Sequence, residues 1–159
     1  SIMDEALELK VGHKVLEVGG GSGWHASTIA EIVAPSDASK ESWGHVYTIE
    51  RLPELAAFAK QNIEKAGYGD RITVINQDGT LGYPENAPYD RILVAAAGPE
   101  VPKPLVQQLG DEGILLVPVG GAQFYQTLVR VRKTDGKLLQ ENLGGVSFVP
   151  LIGKHGFEL

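Results

Sequence analysis

Val15-Leu16-Glu17-Val18-Gly19-Gly20-Gly21-Ser22-Gly23 decides the fold of this chain. The apolar run Lys14–Val18 enters a cluster of glycines at 19, 20, 21 and 23, and the stretch Trp24–Val33 that follows is compatible with a helix. This is the pattern of a buried strand, a tight turn and a helix N-terminus. Glycines suit the turn because they accept positive φ and let the backbone approach a ligand closely. The free N–H groups of the helix start then face whatever sits above the turn. A glycine-rich turn can also join a strand to a helix with no ligand, so the cluster needs support. Glu17 gives some, since a charge inside a buried strand is costly without a partner or a task. Glu50 gives more. It ends the next apolar run, His45–Glu50, 27 residues after Gly23, where an acid in a doubly wound sheet hydrogen-bonds a ribose diol. The turn and Glu50 together form a nucleoside-binding signature.

Composition sets the outer bounds. A chain of 159 residues, 43% hydrophobic and 21% charged, is expected to form one globular domain over residues 1–159. The net charge of −6 argues against a general nucleic-acid partner, which needs a basic face. There is no cysteine, so neither a disulfide framework nor a thiolate nucleophile is available. His13, His25, His45 and His155 lack metal-ligand spacing, and no metal is expected. No apolar run approaches the length of a membrane span, and no signal-peptide pattern is present. A cytoplasmic, monomeric protein is the expectation. The single methionine is Met3, so the chain is expected to begin downstream of its native start.

Along the chain, Ile2–Leu9 suits the tail of an amphipathic helix. Ala34–Trp43 reads as a long polar excursion that Trp43 could anchor. Pro53 opens a helix with an apolar stripe of Leu55, Ala56, Phe58, Ala59, Ile63 and Ala66, closed by Gly67. Further strands are expected at Ile72–Ile75, Tyr89–Ala97 and Gly113–Val119, with a helix starting near Pro102. Phe124–Arg132 alternates as an antiparallel strand would. Asp135-Gly136 marks a hairpin turn, and Leu138–Val149 is the returning strand. Strand–helix alternation followed by a hairpin predicts an α/β fold of three αβα layers. Its sheet is doubly wound, Rossmann-like and mostly parallel, with a C-terminal antiparallel hairpin at one edge.

The glycines read G-x-G-x-G rather than the G-x-G-x-x-G of dinucleotide dehydrogenases. Asp78-Gly79, directly after the third strand, adds a carboxylate that could reach an adenine amino group. These details favour S-adenosylmethionine over a nicotinamide dinucleotide. Ala95-Ala96-Ala97 ends the fourth strand where an open α/β sheet keeps its ligand cleft. Small side chains there would either leave room for donor and acceptor or pack against a helix. Tyr83 and Tyr89 read as loop packing rather than substrate stacking.

With Glu50, Asp78-Gly79 and the strand Tyr89–Ala97, the turn resembles class I S-adenosylmethionine-dependent methyltransferases. More narrowly, the chain resembles the protein-L-isoaspartate O-methyltransferase family over nearly its whole length. Thr48-Ile49-Glu50-Arg51, Ala87-Pro88-Tyr89-Asp90, Val101-Pro102, Pro118-Val119-Gly120 and Phe148-Val149-Pro150-Leu151 carry the likeness. The resemblance implies that Gly19, Gly21, Ser22 and Gly23 cradle the methionine and ribose part of the cofactor. It assigns the ribose hydroxyls to Glu50, the flanks of the adenosine to Arg51 and Leu52, and the adenine to Asp78 and Gly79. Glu17 is expected to fix the turn or meet the cofactor's ammonium, Ser22 to double as a helix cap, and His25 to make an accessory contact.

The implied reaction moves a methyl group from S-adenosylmethionine to the α-carboxylate of an isoaspartyl residue in a peptide or protein. S-adenosylhomocysteine is released, and the methyl ester cyclises to a succinimide that partly reopens to aspartate. The family's serine beside the transferred methyl lies in a Ser-x-Pro segment upstream of Ser1, so no catalytic residue is assigned within the chain. The excursion at 34–43 is longer than in relatives, and Ile152 stands where some members carry a hydroxyl. Two alternatives stay open: a class I methyltransferase with a small-molecule acceptor, and a cofactor-binding chain without turnover.

Overall fold

The computed structural model describes residues 2–121 and 125–159. Its strands are β1 (Lys14–Val18), β2 (His45–Glu50), β3 (Ile72–Asn76), β4 (Tyr89–Val94), β5 (Leu109–Val119), β6 (Gln126–Thr134) and β7 (Lys137–Val146). They form one seven-stranded sheet in the order β3-β2-β1-β4-β5-β6-β7. The first five strands run parallel, and β6 pairs antiparallel with both β5 and β7. The helices are α1 (Ile2–Leu7), α2 (Trp24–Val33), α3 (Pro53–Lys65) and α4 (Lys103–Gln108). Chain order reverses between β1 and β4, and the carboxyl ends of those two strands are where an open α/β sheet holds a ligand.

The two-residue period of the strands sorts the core onto both faces. Val15, Leu93 and Leu116 point to one side and pack with Ala26, Ile29 and Val33 of α2 and Ile63 of α3. Leu16, Val18, Ile92, Val94, Leu115 and Val117 point to the other and meet Leu105 of α4. Burial on both faces explains why these strands read as unbroken apolar runs rather than as alternation.

The structure moves several expected features. In β6 the alternation does not give one wet face: Leu128 joins one core, while Val129 and Val131 join the other. β6 is thus buried on both faces, and β7 takes the edge position beside it. Phe124, expected at its start, lies outside the described residues. In α3 only Ala56, Ala59 and Ile63 of the expected stripe are buried, whereas Leu55 and Phe58 are 39% and 51% exposed. β4 ends at Val94, and Ala97 instead bridges Pro150. β5 starts at Leu109 rather than Gly113, because its pairing with β4 is irregular between Tyr89 and Arg91.

Other expectations hold locally. Asp135 and Gly136 adopt φ of 52° and 72°, the left-handed pair that a two-residue hairpin requires. Trp43 anchors the 34–43 excursion. Its indole N–H donates to Pro35 O at 2.8 Å, and the Arg71 guanidinium sits between the Trp43 and Tyr68 rings at 4.5 and 4.2 Å. Tyr89 is fully buried, and its hydroxyl donates to Tyr83 O. No described helix is long and apolar enough to cross a membrane.

Candidate functional site

A cavity of about 360 Å³ opens at the carboxyl ends of β1 and β4. Gly19 and Gly21 form one wall, Glu50, Arg51 and Leu52 with Leu55 of α3 a second, and Ala95 and Ala96 a third. Gly79 and the segment Val149–Ile152 complete it. Its size falls within the range of about 300–1,000 Å³ usual for small-molecule sites.

The glycine turn is tied down from below. The N–H groups of Gly19 and Gly20 both donate to Ile49 O, at 2.9 and 3.2 Å. Gly20 lies so close to β2 that a Cβ there would stand 2.2 Å from Thr48 Oγ1. No larger residue fits without displacing the Thr48 side chain. Gly23, at φ 87°, is the N-cap of α2 and makes no side-chain cap. The capping expected of Ser22 is therefore not made. Instead the Ser22 carbonyl accepts from Asn62 Nδ2 at 2.8 Å, joining the turn to α3.

Glu50 is only 9% exposed yet lines the cavity. Its Oε2 accepts the Gly21 N–H at 3.2 Å and its Oε1 accepts the Leu52 N–H at 3.3 Å. An ionised carboxylate has about four acceptor positions. Two backbone donors thus orient the group and leave capacity for a diol. Asn76 fixes the strand end by donating to Glu50 O and Arg51 O at 2.8 and 3.0 Å.

Glu17 has a different task. It is 1% exposed and lies behind the cavity wall. Its Oε1 accepts from Thr48 Oγ1 at 2.6 Å, and its Oε2 is 3.0 Å from His25 Nδ1. His25 Nε2 in turn lies 2.9 Å from Asp4 Oδ1. The hydrogen bond with Glu17, aided by Asp4, pushes the His25 pKa up to about 9. His25 is therefore an imidazolium at neutral pH, donating from both nitrogens. The accessory contact expected of it is made to protein carboxylates.

Asp78 is likewise drawn away from the cavity. Its Oδ1 accepts the Thr80 N–H and hydroxyl at 2.9 and 2.7 Å, and its Oδ2 accepts the Lys154 N–H at 2.9 Å. Burial opposes its ionisation, but the hydrogen bonds from Lys154 and Thr80 prevail and hold the carboxyl below its ordinary range. Asp78 thus pins the C-terminal strap, residues 147–159. That strap also hydrogen-bonds Ala97 through Val149 O and Leu151 N, at 2.7 and 2.8 Å.

Of the expected site residues, Gly19, Gly21, Glu50, Arg51, Leu52 and Gly79 meet around one cavity. Glu17, Ser22, Gly23 and Asp78 support it from behind. Ala95 and Ala96 stand on the wall, but Ala96 also packs into the core and Ala97 is buried away from the cavity, so the stretch does both. Leu55 and the strap wall Val149–Leu151 were not foreseen as lining. The pattern Phe-Val-Pro-Leu was the one signal that pointed to that strap. Among the described residues no three His, Asp or Glu side chains converge as a metal site would require.

The comparisons with known proteins agree with this geometry. The model of the protein-L-isoaspartate(D-aspartate) O-methyltransferase family matches residues 1–156. Relatives named protein-L-isoaspartate O-methyltransferase include one from Hyperthermus butylicus, 54% identical over 158 residues, and one from Thermococcus onnurineus, 52% identical over 159. Each alignment covers 99% of this chain but 66% and 68% of the relative, respectively. A solved protein-L-isoaspartate O-methyltransferase superposes with a TM-score of 0.85 at 29% identity, covering 98% of this chain and 47% of the other. A Plasmodium falciparum structure assigned to the same enzyme class, in complex with S-adenosyl-L-homocysteine, gives 0.80 at 25% identity over 95% of this chain and 71% of that one. The chain thus spans about two thirds of the length of the Hyperthermus butylicus and Thermococcus onnurineus relatives and about half that of the first solved structure. Glycine turn, strand-end acid, sheet order and sequence likeness converge, and the chain belongs to the protein-L-isoaspartate(D-aspartate) O-methyltransferase family.

Proposed function

We propose that the protein transfers the methyl group of S-adenosylmethionine to the free α-carboxylate of L-isoaspartyl residues in damaged proteins. The product S-adenosylhomocysteine is released, and the methyl ester goes on to a succinimide. The observation that carries this reading is Glu50, a nearly buried carboxylate oriented by the Gly21 and Leu52 N–H groups at the edge of an otherwise mostly apolar cavity. Those features fit a nucleoside: Glu50 takes the ribose hydroxyls, and Ile49, Leu52 and Leu55 offer apolar surface to a flat base. Gly79 approaches from below, where a Cβ would stand 2.4 Å from Val18 Cγ1. Arg51 flanks the adenosine at the rim. Gly19 and Gly21 face the methionine portion, with Ser22 and Gly23 holding the turn to α3 and α2. Asp78 serves the adenine end by fixing the strap beside it.

When bound, the donor supplies an electrophilic sulfonium methyl. The acceptor needs no general base, because an α-carboxyl group with a pKa of about 3.5 is ionised at neutral pH. The protein's work is therefore alignment. Ala95 and Ala96 leave the space in which a peptide carboxylate meets the methyl group. The partners we infer are isoaspartyl peptides and proteins, met by a monomer in the cytoplasm. The net charge of −6 sets nucleic acid aside.

The test is methyl transfer from labelled S-adenosylmethionine to an isoaspartyl peptide and to its aspartyl twin. Selective labelling of the isoaspartyl peptide is expected. Equal labelling of both would overturn the acceptor assignment. Labelling of neither, with S-adenosylhomocysteine still bound, would make this a donor-binding chain without turnover.

A further inference from the structure

Beneath the glycine turn, four side chains from four elements form one line: Thr48 of β2, Glu17 of β1, His25 of α2 and Asp4 of α1. The contacts are 2.6, 3.0 and 2.9 Å. None of the four lines the cavity. Gly20 rests directly on this line, its Cβ position being 2.2 Å from Thr48 Oγ1 and 3.3 Å from Glu17 Oε1. One residue on, the Gly21 N–H holds Glu50. Gly20 thus lies between Glu17 and the residue that holds the Glu50 carboxylate.

Resting on the donor-site reading above, we propose that His25 is a positioning residue for the methyl-donor site. As a cation clamped between Glu17 and Asp4, it keeps Glu17 against Thr48 and so holds the glycine turn in its ligand-facing shape. The argument is electrostatic. Glu17 is 1% exposed, and Thr48 gives it one hydrogen bond but no countercharge. Removing one partner of a buried pair leaves a charge that must find another donor or take up a proton. Either outcome loosens the support under Gly20. The charged groups facing His25 are Glu17 from β1 and Asp4 from α1, and both favour its protonated form.

The experiment compares S-adenosylhomocysteine affinity in the wild type and His25→Gln between about pH 7 and about pH 10, a range that spans the loss of the imidazolium proton. The wild-type to variant ratio cancels any ionisation of the ligand itself. At neutral pH we expect the wild type to bind about tenfold more tightly, as befits a lost charge-assisted hydrogen bond. The ratio should fall towards one as the wild-type imidazolium loses its proton. His25→Lys, whose cation persists to higher pH, should keep near-wild-type affinity at neutral pH and exceed the wild type at the alkaline end. A ratio that is flat across pH means a merely structural loss and overturns the proposal, as does a ratio of one throughout.

If His25→Gln fails to fold, the wild type alone decides. By reciprocal linkage, S-adenosylhomocysteine must raise the midpoint of the His25 ring titration followed by NMR. An unchanged midpoint overturns the proposal. Absence of any S-adenosylhomocysteine binding by the wild type at neutral pH would instead overturn the donor-site reading itself.

Discussion

The Gly21 N–H donates to Glu50 Oε2 at 3.2 Å, so the glycine turn after β1 and the acid that ends β2 form one unit. The same carboxylate accepts the Leu52 N–H. In Glu50→Gln one amide oxygen can still accept, but the NH₂ group then faces one of the two N–H donors. A loss of S-adenosylhomocysteine affinity of about 10- to 100-fold is expected, the range for a hydrogen bond to a charged group. Calorimetric titration beside a thermal melt measures it. An unchanged affinity would remove Glu50 from the site.

Gly20→Ala forces a methyl group against Thr48 Oγ1, in contact with Glu17 as well. Overpacking of this kind costs about 1–3 kcal/mol, and donor affinity should fall with it. Gly67→Ala is the control. Gly67 has φ 85° but nothing within 4 Å of its Cβ position, so only the left-handed strain of about 1–2 kcal/mol applies. Urea unfolding of both variants should show comparable destabilisation, with lost binding confined to Gly20→Ala.

The strap behind the cavity depends on Gly153 and Asp78. A Cβ on Gly153, at φ 155°, would stand 2.1 Å from Asp78 Oδ1. Both Gly153→Ala and Asp78→Asn should release the Lys154 and His155 amides, which bond Asp78 and Thr80. Their hydrogen exchange should rise by about tenfold or more, as expected where roughly 1.4 kcal/mol or more of local stability is lost. Unchanged exchange would show that the strap is held elsewhere.

The His25 clamp and the Asp78 hydrogen bonds respond to pH in opposite senses. His25 has its pKa raised from 6.5 to about 9. The stability it contributes is complete below 6.5 and is lost as pH rises through about 9. Asp78 has its pKa lowered from 3.8. Its contribution is present above that value and is lost as pH falls through its still lower folded pKa. Urea midpoints should therefore fall on the alkaline side in the wild type but less steeply in His25→Gln. The acid-side fall should be shallower in Asp78→Ala. Parallel curves for wild type and variants would contradict both assignments.

The sheet and the ligand-facing turn were legible in the sequence because they depend on local chemistry. Positive φ at Gly19, Gly21 and Gly136, the unbroken apolar runs of β1 and β4, and an acid at the end of β2 are written within a few residues of each other. What was not legible depends on distant partners. Asp78 was expected to reach the adenine, and Glu17 either to fix the turn or to meet the cofactor's ammonium; nothing near them in sequence announces His25 bridging to Asp4, or Lys154 arriving 76 residues on. The strap closes the cavity through backbone hydrogen bonds to Ala97, which carry no side-chain signature. Leu55 belongs to a helical stripe by spacing, but α3 buries only the narrow strip of Ala56, Ala59 and Ile63. Leu55 is thereby left at the cavity.

The central claim is that the cavity between the glycine turn and Glu50 holds the methyl donor. Calorimetric titration of the wild-type protein with S-adenosylhomocysteine at neutral pH tests it most directly. The account predicts saturable binding of one molecule per chain. Absence of binding by a folded protein, or binding that survives Glu50→Gln and Gly20→Ala undiminished, would contradict it.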